Sequence, residues 1–276
     1  MKKLLADPLA LVSTLLAFVL IILAALAPVV SPYPMGGIFP DDVLLSPNAA
    51  HWFGTDRLGR DLLTRVLYGS RVSVAVGLLA AILSTALGFF YGALAGLARP
   101  RIEGAMMRLV DILYGLPELL LIILFSLVFE KGVVSIALAL ALVGWMRVAR
   151  LVRGEVLRIK TQSYYESARA MGIGLWRKIF RYVLPNVLGV LLVALTLQIP
   201  ISILTESVLS FIGLGIDDPY SSWGTSWGTL ARSGWQGLRS YPHLLFFPSA
   251  AIFLSALAFN FLGDFLRDRL EPSGRF

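Results

Sequence analysis

The sequence predicts an all-α integral membrane protein with six transmembrane helices and both termini in the cytoplasm. Three observations carry that expectation. Of 276 residues, 57% are hydrophobic and only 15% charged, against about one quarter charged in a soluble domain. Apolar runs recur at the ~20-residue length a helix needs to cross a bilayer, not as the alternating ~10-residue segments of an outer-membrane barrel. The basic residues gather in alternate loops between those runs, which is the positive-inside pattern. The net charge of +7 therefore points to a lipid bilayer and not to nucleic acid. There is no cysteine, so disulfides, thiolate catalysis and cysteine metal sites are excluded. The two histidines, His51 and His243, are too few and too far apart in sequence to suggest a metal site.

The elements follow in order. Lys2 and Lys3 precede an apolar run, Leu9 to Val30, read as an uncleaved first span. Ala25-Leu26-Ala27 resembles a signal-peptide cleavage site, but the run exceeds the ~7–15 residues of a signal h-region and Pro28 follows at once. Ser31 to Asn48 is rich in Pro and Gly and reads as external loop. From His51 to Arg71, Leu62, Leu63, Val66 and Leu67 recur at helical spacing opposite Arg60, Asp61, Thr64 and Arg65, which predicts an amphipathic helix at the membrane surface. Residues 1–50 thus form an N-terminal span and loop, and 51–71 an external segment. A five-helix core covers 72–266, with a cytoplasmic loop over 153–182 and a tail at 267–276.

Span two, Val72 to Ala98, carries Gly88, Gly92 and Gly96 on one face, a spacing that lets membrane helices approach closely. Span three, Ala105 to Phe129, contains Asp111, Glu118 and a kinking Pro117. Its two carboxylates lie about two turns apart and read as packing or partner contacts near the basic loop, with a substrate path as the rival reading. Glu130-Lys131-Gly132 reads as a tight external turn, and Val133 to Val152 as span four, ending in Arg147, Arg150 and Arg153. Span five, Val183 to Thr205, is the most polar. Gln198, Ser202, Thr205 and the adjoining Glu206 are candidates to line a translocation path, or to make hydrogen bonds within the bundle. Ser207 to His243 is external and rich in Gly and Trp, whose rings favour the membrane interface. Leu244 to Leu262 is span six.

The polar stretch Tyr164 to Asn186 is the organising feature. Ser163 and Glu166 have the spacing of a capping box, Gly172 and Gly174 are natural helix terminators, and a second short helix runs from Leu175 to Val183. Glu166, Ala168, Gly172, Leu184 and Pro185 resemble the "EAA" loop of ABC-importer permeases, with Ser167 in place of the usual first Ala. The resemblance extends to His51, Phe53-Gly54-Thr55-Asp56, Leu58-Gly59-Arg60-Asp61, Arg65 and Tyr68-Gly69. It continues through Glu206, Leu209-Ser210-Phe211, Gly213-Leu214-Gly215, Pro219 and Trp223-Gly224, and ends in a tail from Leu262 to Pro272 with Glu271 where Asp is usual. These match the C-type transmembrane subunit of dipeptide, oligopeptide and nickel importers.

The resemblance implies a type I ABC-importer permease core that is not itself an enzyme. It implies a second homologous permease subunit, two ATPase subunits that bind ATP and Mg, and an extracytoplasmic solute-binding protein. It assigns ATPase coupling to Glu166, Ser167, Ala168, Arg169, Ala170, Met171 and Gly172. The substrates it implies are di- or oligopeptides, with nickel or glutathione-like solutes as alternatives.

Charge supports the topology. Arg57, Arg60, Arg65, Arg71, Lys131, Arg232 and Arg239 fall outside, and the other 17 of the 24 Lys and Arg fall inside. The phosphate-binding loop G-x-x-x-x-G-K-[ST] is absent from the sequence, so energy for active transport must come from a partner. Two other classes remain in view: an ion-coupled secondary transporter using Asp111, Glu118 and Glu206, and an intramembrane hydrolase. Neither accounts for the 164–186 stretch.

Overall fold

Prolines and caps punctuate this chain into helices. The computed structural model describes residues 8–129, 132–218 and 223–270. The expectations for Lys2, Lys3, Glu130, Lys131, Pro219 and the tail from Glu271 on lie outside them. Helices α1 (Pro8–Val30), α2 (Leu62–Leu97), α3 (Pro100–Tyr114), α4 (Glu118–Val128) and α5 (Val133–Lys160) are followed by the short α6 (Ser163–Ala170) and α7 (Leu175–Arg177). A π-helical turn, Lys178–Val183, leads into α8 (Leu184–Phe211). A two-residue antiparallel hairpin of β1 (Asp217–Asp218) and β2 (Gly224–Thr225) precedes α9 (Trp227–Trp235) and α10 (His243–Leu270). Among the described residues, five segments are long and apolar enough to cross a membrane, and α3 with α4 makes a sixth if the pair is one span.

That sixth span corrects the expectation of a kinked helix. α3 and α4 are bent by 89° across Gly115, Leu116 and Pro117. Pro117 has no N–H and its ring clashes with the preceding turn, and Leu116 before it is pushed out of helical conformation. The 11 residues of α4 rise only about 16 Å, too short to cross alone. The amphipathic helix expected over 51–71 is also corrected. Residues 51–61 form an irregular loop, and the helix starts at Leu62, where Asp61 accepts the N–H of Thr64, and runs unbroken to Leu97. The last residues of the expected tail, 267–270, belong to α10.

The glycine stripe orients the core. A Cβ on Gly88 would stand 2.5 Å from Val148 Cβ, one on Gly92 would stand 2.4 Å from the Ala149 carbonyl, and one on Gly96 would stand 2.7 Å from Val156 Cβ. The numbers rise together, so α2 and α5 run parallel with their backbones in close approach. α8 runs against α2, since Gly77 meets Ile203 while Ser73 meets Glu206. α10 runs against α8, since Gly263 meets Leu197 and Gly189 meets Leu270. These directions agree with the topology read from charge. One end of the bundle carries α6, Lys160 and Leu270. The opposite, outer end carries the 31–61 loop, the hairpin and α9.

At the outer end, Trp227 is 1% exposed. Its indole N–H donates to the Val66 carbonyl at 2.9 Å, and its ring lies on Gly69, where a Cβ would stand 2.9 Å away. This tryptophan is core, contrary to the expectation that the Trp-rich segment sits at the interface. Trp223 and Trp235 are exposed.

Candidate coupling and path sites

α5 ends at Lys160, whose Nζ donates to the Gly96 carbonyl at 2.9 Å. This satisfies one of the orphan carbonyls at the end of α2. Gln162 caps α6 through its backbone geometry without a side-chain hydrogen bond. The expected capping box does not form, because the cap lies one residue before Ser163. Ser163 is already helical, and its carbonyl accepts from Ser167 Oγ at 2.9 Å. Two residues of α6, Tyr165 and Ala168, are buried, while Glu166, Ser167, Arg169, Ala170, Met171 and Gly172 are exposed. Gly172 turns the chain with φ +69°, a left-handed conformation that costs little only for glycine.

The chain resumes at Leu175 and passes Leu184-Pro185 without a break. Pro185 cannot donate a helical hydrogen bond, and one residue earlier the N–H of Leu184 reaches the carbonyl of Ile179, five residues back. That π turn keeps the helix continuous. It also sends Ile179 and Val183 inward. They join Tyr165 in one cluster with Phe89 and Ala93 of α2, Val148, Val152 and Val156 of α5, and Val187 and Leu191 of α8. Burial raises the Tyr165 phenol, and nearby Arg169 only partly offsets it. The inner sides of the loop are thus part of the transmembrane core.

The outer sides present Tyr164, Met171, Leu175, Trp176 and Phe180 beside the exposed Arg169, Arg177 and Arg181. Trp176, 62% exposed, stacks on Phe180 at 6.0 Å. Aromatics and arginine together make up the composition that protein-docking surfaces favour. Of the seven coupling candidates, Ala168 faces the core and the other six face out.

Asp111 and Glu118 each pair with an arginine of α5, and Glu118 and Arg147 also line a cavity of about 210 Å³. Asp111 accepts from Arg150 at 2.7 Å, and Glu118 pairs with Arg147 at 3.3 Å. Glu103 takes both Nε and Nη2 of Arg153, at 2.8 and 2.6 Å. The three pairs fasten α3 and the first turn of α4 to α5, their numbers rising along the bent pair as they fall along α5. The sequence signal was present, with arginines three apart on α5 facing carboxylates seven or eight apart on the bent pair. Only the fold shows that they meet.

The path candidates separate. Gln198 is buried against Gly144, where a Cβ would stand 2.6 Å from its Nε2. It also borders an open cavity of about 650 Å³ between α5 and α8, with Arg147, Arg150, Leu197 and Ile201. Ser202 is buried, and Thr205 Oγ1 donates back to the Ile201 carbonyl at 2.8 Å. Glu206 is fully buried. It accepts from Ser73 Oγ at 3.0 Å and Ser210 Oγ at 2.5 Å, while Ser73 Oγ accepts the N–H of Trp227 at 3.2 Å. This network joins α2, α8 and α9. Ser73 was not singled out by the sequence, since a lone serine in a span carries no spacing signal.

The outer loop is built on its own charges. Asp56 accepts the N–H groups of Leu58 and Arg60 at 2.8 and 3.0 Å, and the guanidiniums of Arg60 and Arg65 at 2.8 and 2.7 Å. Burial pushes its carboxyl up, but these partners outweigh it and hold the group below the usual range. Asp61 caps α2 and meets His51 Nδ1 at 2.9 Å. Phe53 stacks on Phe247 of α10 at 3.8 Å. Asp61, Thr64 and Arg65, expected on a polar outer face, are all buried, because the motif supplies its own counter-charges.

Gly224 to Gly228 spells G-x-S-x-G, the pattern of a hydrolase nucleophile elbow. Ser226 is fully buried, has ordinary extended backbone and caps α9 by accepting from Thr229 N–H. That is a structural cap and gives the hydrolase reading no nucleophile. Among the described residues, no group of three or more His, Cys, Asp or Glu is placed to hold a metal ion.

The family model described as "Binding-protein-dependent transport system inner membrane component" matches residues 88–275. The chain is similar to the oligopeptide transport system permease protein OppC of Bacillus subtilis, 38% identical over 98% of this chain and 87% of the relative. It is 40% identical to the dipeptide transport system permease protein DppC of the same organism, over 99% and 85%. It is 38% identical to the glutathione transport system permease protein GsiD of Pectobacterium atrosepticum, over 98% and 89%.

Proposed function

The chain belongs to the binding-protein-dependent transport system inner membrane components, and from that membership we propose that it forms half of the translocation path of an ATP-driven importer for di- or oligopeptides. As a permease it is a multi-pass, non-catalytic component of the membrane, and its family works with a binding protein and an ATPase. The finer assembly belongs to the proposal. A second, homologous permease subunit pairs with this chain, two ATPase subunits bind ATP and Mg, and an extracytoplasmic binding protein delivers the peptide.

One observation carries the mechanism. The coupling loop buries Tyr165, Ile179 and Val183 among residues of α2, α5 and α8, while its outer side exposes Met171, Leu175, Trp176 and Phe180. An ATPase seated on that outer side displaces three spans together when it moves, because a packed cluster transmits displacement instead of absorbing it. Glu166 and Arg169, both exposed on α6, supply polar contacts to the ATPase, and Ala168 holds α6 against the core. Glutathione-like solutes are the second reading, favoured by the relative of that name.

The test is affinity purification of the chain in mild detergent from its native host, with identification and stoichiometry of what accompanies it. Recovery of a related permease and ATPase subunits is expected, together with loss of peptide-stimulated ATP hydrolysis when Glu166 and Gly172 are replaced. A chain that purifies alone and transports in liposomes without ATP overturns the proposal.

A further inference from the structure

We propose that a polar cavity at the outer end of α8 is a subsite for a carboxylate of the transported solute, with Arg232 as its recognising group. The cavity holds about 370 Å³. Ser210, Gly213 and Gly215 line it from the end of α8, and Thr229, Arg232, Ser233 and Gln236 line it from α9. Among the described residues that line it, none carries a carboxylate.

The hydroxyls of this cavity already have acceptors. Ser210 donates to Glu206, Thr229 to the Ile216 carbonyl, and Ser233 to the Thr229 carbonyl. The amide oxygen of Gln236 accepts from Arg57 Nη1 at 3.0 Å, so its NH₂ group is the free end. The donors left are therefore the Gln236 amide and the Arg232 guanidinium. That set suits a ligand that only accepts hydrogen bonds. A planar carboxylate, taken in two parallel bonds by the guanidinium fork, is such a ligand.

Gly213 makes the seat. Its φ is +102°, and a Cβ there would stand 2.4 Å from Arg232 Nη1. The guanidinium lies against bare backbone. Four other arginines of this end are engaged elsewhere. Arg60 and Arg65 pair with Asp56, Arg57 holds Gln236, and Arg71 stacks on Tyr68 and Trp223. Every free peptide carries an α-carboxylate ionised at neutral pH, so a subsite for that group serves peptides of any sequence. The inference rests on the peptide reading for the identity of the ligand.

The test measures equilibrium binding of tritiated trialanine and of its C-terminal amide to the assembled permease–ATPase complex without binding protein. Wild type should retain the acid about tenfold better than the amide, the worth of one charge-assisted pair. Arg232→Gln should bring that ratio to one with unchanged basal ATPase activity, and Arg232→Lys should restore part of it. A wild-type ratio near one, no retention of either peptide, or an equal loss of both in Arg232→Gln overturns the proposal. Uptake of acid and amide that falls together in Arg232→Gln, and recovers with excess binding protein, also overturns it and makes Arg232 a contact for that protein. Failure of the peptide reading shows separately, as absent trialanine uptake by the complete wild-type importer.

Discussion

Lys160 closes α2 from another helix: its ammonium group hydrogen-bonds the carbonyl of Gly96 at 2.9 Å. The residue that ends α5 just before the coupling loop is thereby fastened to the last turn of α2. Lys160→Met keeps the stem but loses the bond and the favourable charge at a helix C-terminus. It should cost about 1 kcal/mol of stability, read as a lower Tm in detergent. An unchanged Tm would remove this contact from the account of how α2 and α5 move together.

Gly92→Ala and Gly104→Ala form a matched pair. At Gly92 the new methyl would meet the Ala149 carbonyl at 2.4 Å, whereas at Gly104 nothing lies within 4 Å. The first should cost about 1–3 kcal/mol as backbone overpacking. The second should be neutral or gain a few tenths of a kcal/mol from helix propensity. Thermal unfolding of the two variants side by side decides it.

Asp56 predicts a pH dependence confined to acid. Its folded pKa is depressed, since Arg65 and Arg60 outweigh the opposing effect of burial. A depressed carboxylate stabilises the fold above its unfolded pKa of ~3.9, and that contribution is lost as pH falls through the folded value. The Tm of the wild type should therefore drop below about pH 4. Asp56→Asn should be less stable at pH 7 by about 3 kcal/mol, because Arg65 loses this buried partner, and should lose the part of the acid dependence that Asp56 supplies. Parallel Tm–pH curves for the two proteins would show that the pair contributes nothing.

Glu206→Gln separates a structural acid from an ion carrier. The amide keeps an acceptor for Ser73 or Ser210, so ATP-driven uptake should survive within about threefold, a loss below 1 kcal/mol. Glu206→Ala leaves buried hydroxyls without their acceptor and should cost about 1–3 kcal/mol of stability. Uptake that persists without ATP in the wild type, and is abolished by Glu206→Gln, would establish ion coupling instead.

Gly172→Ala and Gly172→Asn test the turn within the coupling loop. Space is open there, but φ is +69°, so alanine pays about 1–2 kcal/mol of left-handed strain while asparagine, which tolerates that region, pays less. Coupling of ATP hydrolysis to uptake should fall in the order glycine, asparagine, alanine. Equal coupling in all three would mean that the turn is not held to this geometry in the working complex.

These comparisons show where the sequence could be read and where it could not. Apolar runs located α1 closely and the starts of α5 and α10, because a ~20-residue span admits little else, but α5 and α10 run eight residues past those runs to Lys160 and Leu270. The glycine stripe predicted a close helix contact, and α5 is the helix that makes it. Residues 51–71 misled because Arg65 and Asp61 looked like a wetted face, and only the tertiary fold brings Asp56 and His51 to them. Pro117 announced a break, but packing sets its 89°. Trp227 resembled an interfacial aromatic until Gly69 was seen to leave room for its ring. In the coupling loop the motif was legible. Which residues face inward depends on the π turn, and a turn that adds one residue shifts every later side chain by about 100° around the helix axis.

That same turn keeps Leu175 to Phe211 one unbroken rod of 37 residues, about 55 Å long. Such a rod is a lever arm with its short end under Trp176 and its long end at Glu206 and the outer cavity. Pivoted near the cluster of Val187 and Leu191, a tilt of about 5° moves the outer end by roughly 3 Å, the width of a water molecule, while the inner end moves by about two-thirds as much. In the proposed importer, a stroke small at the ATPase contacts is then enough to open or close the outer mouth.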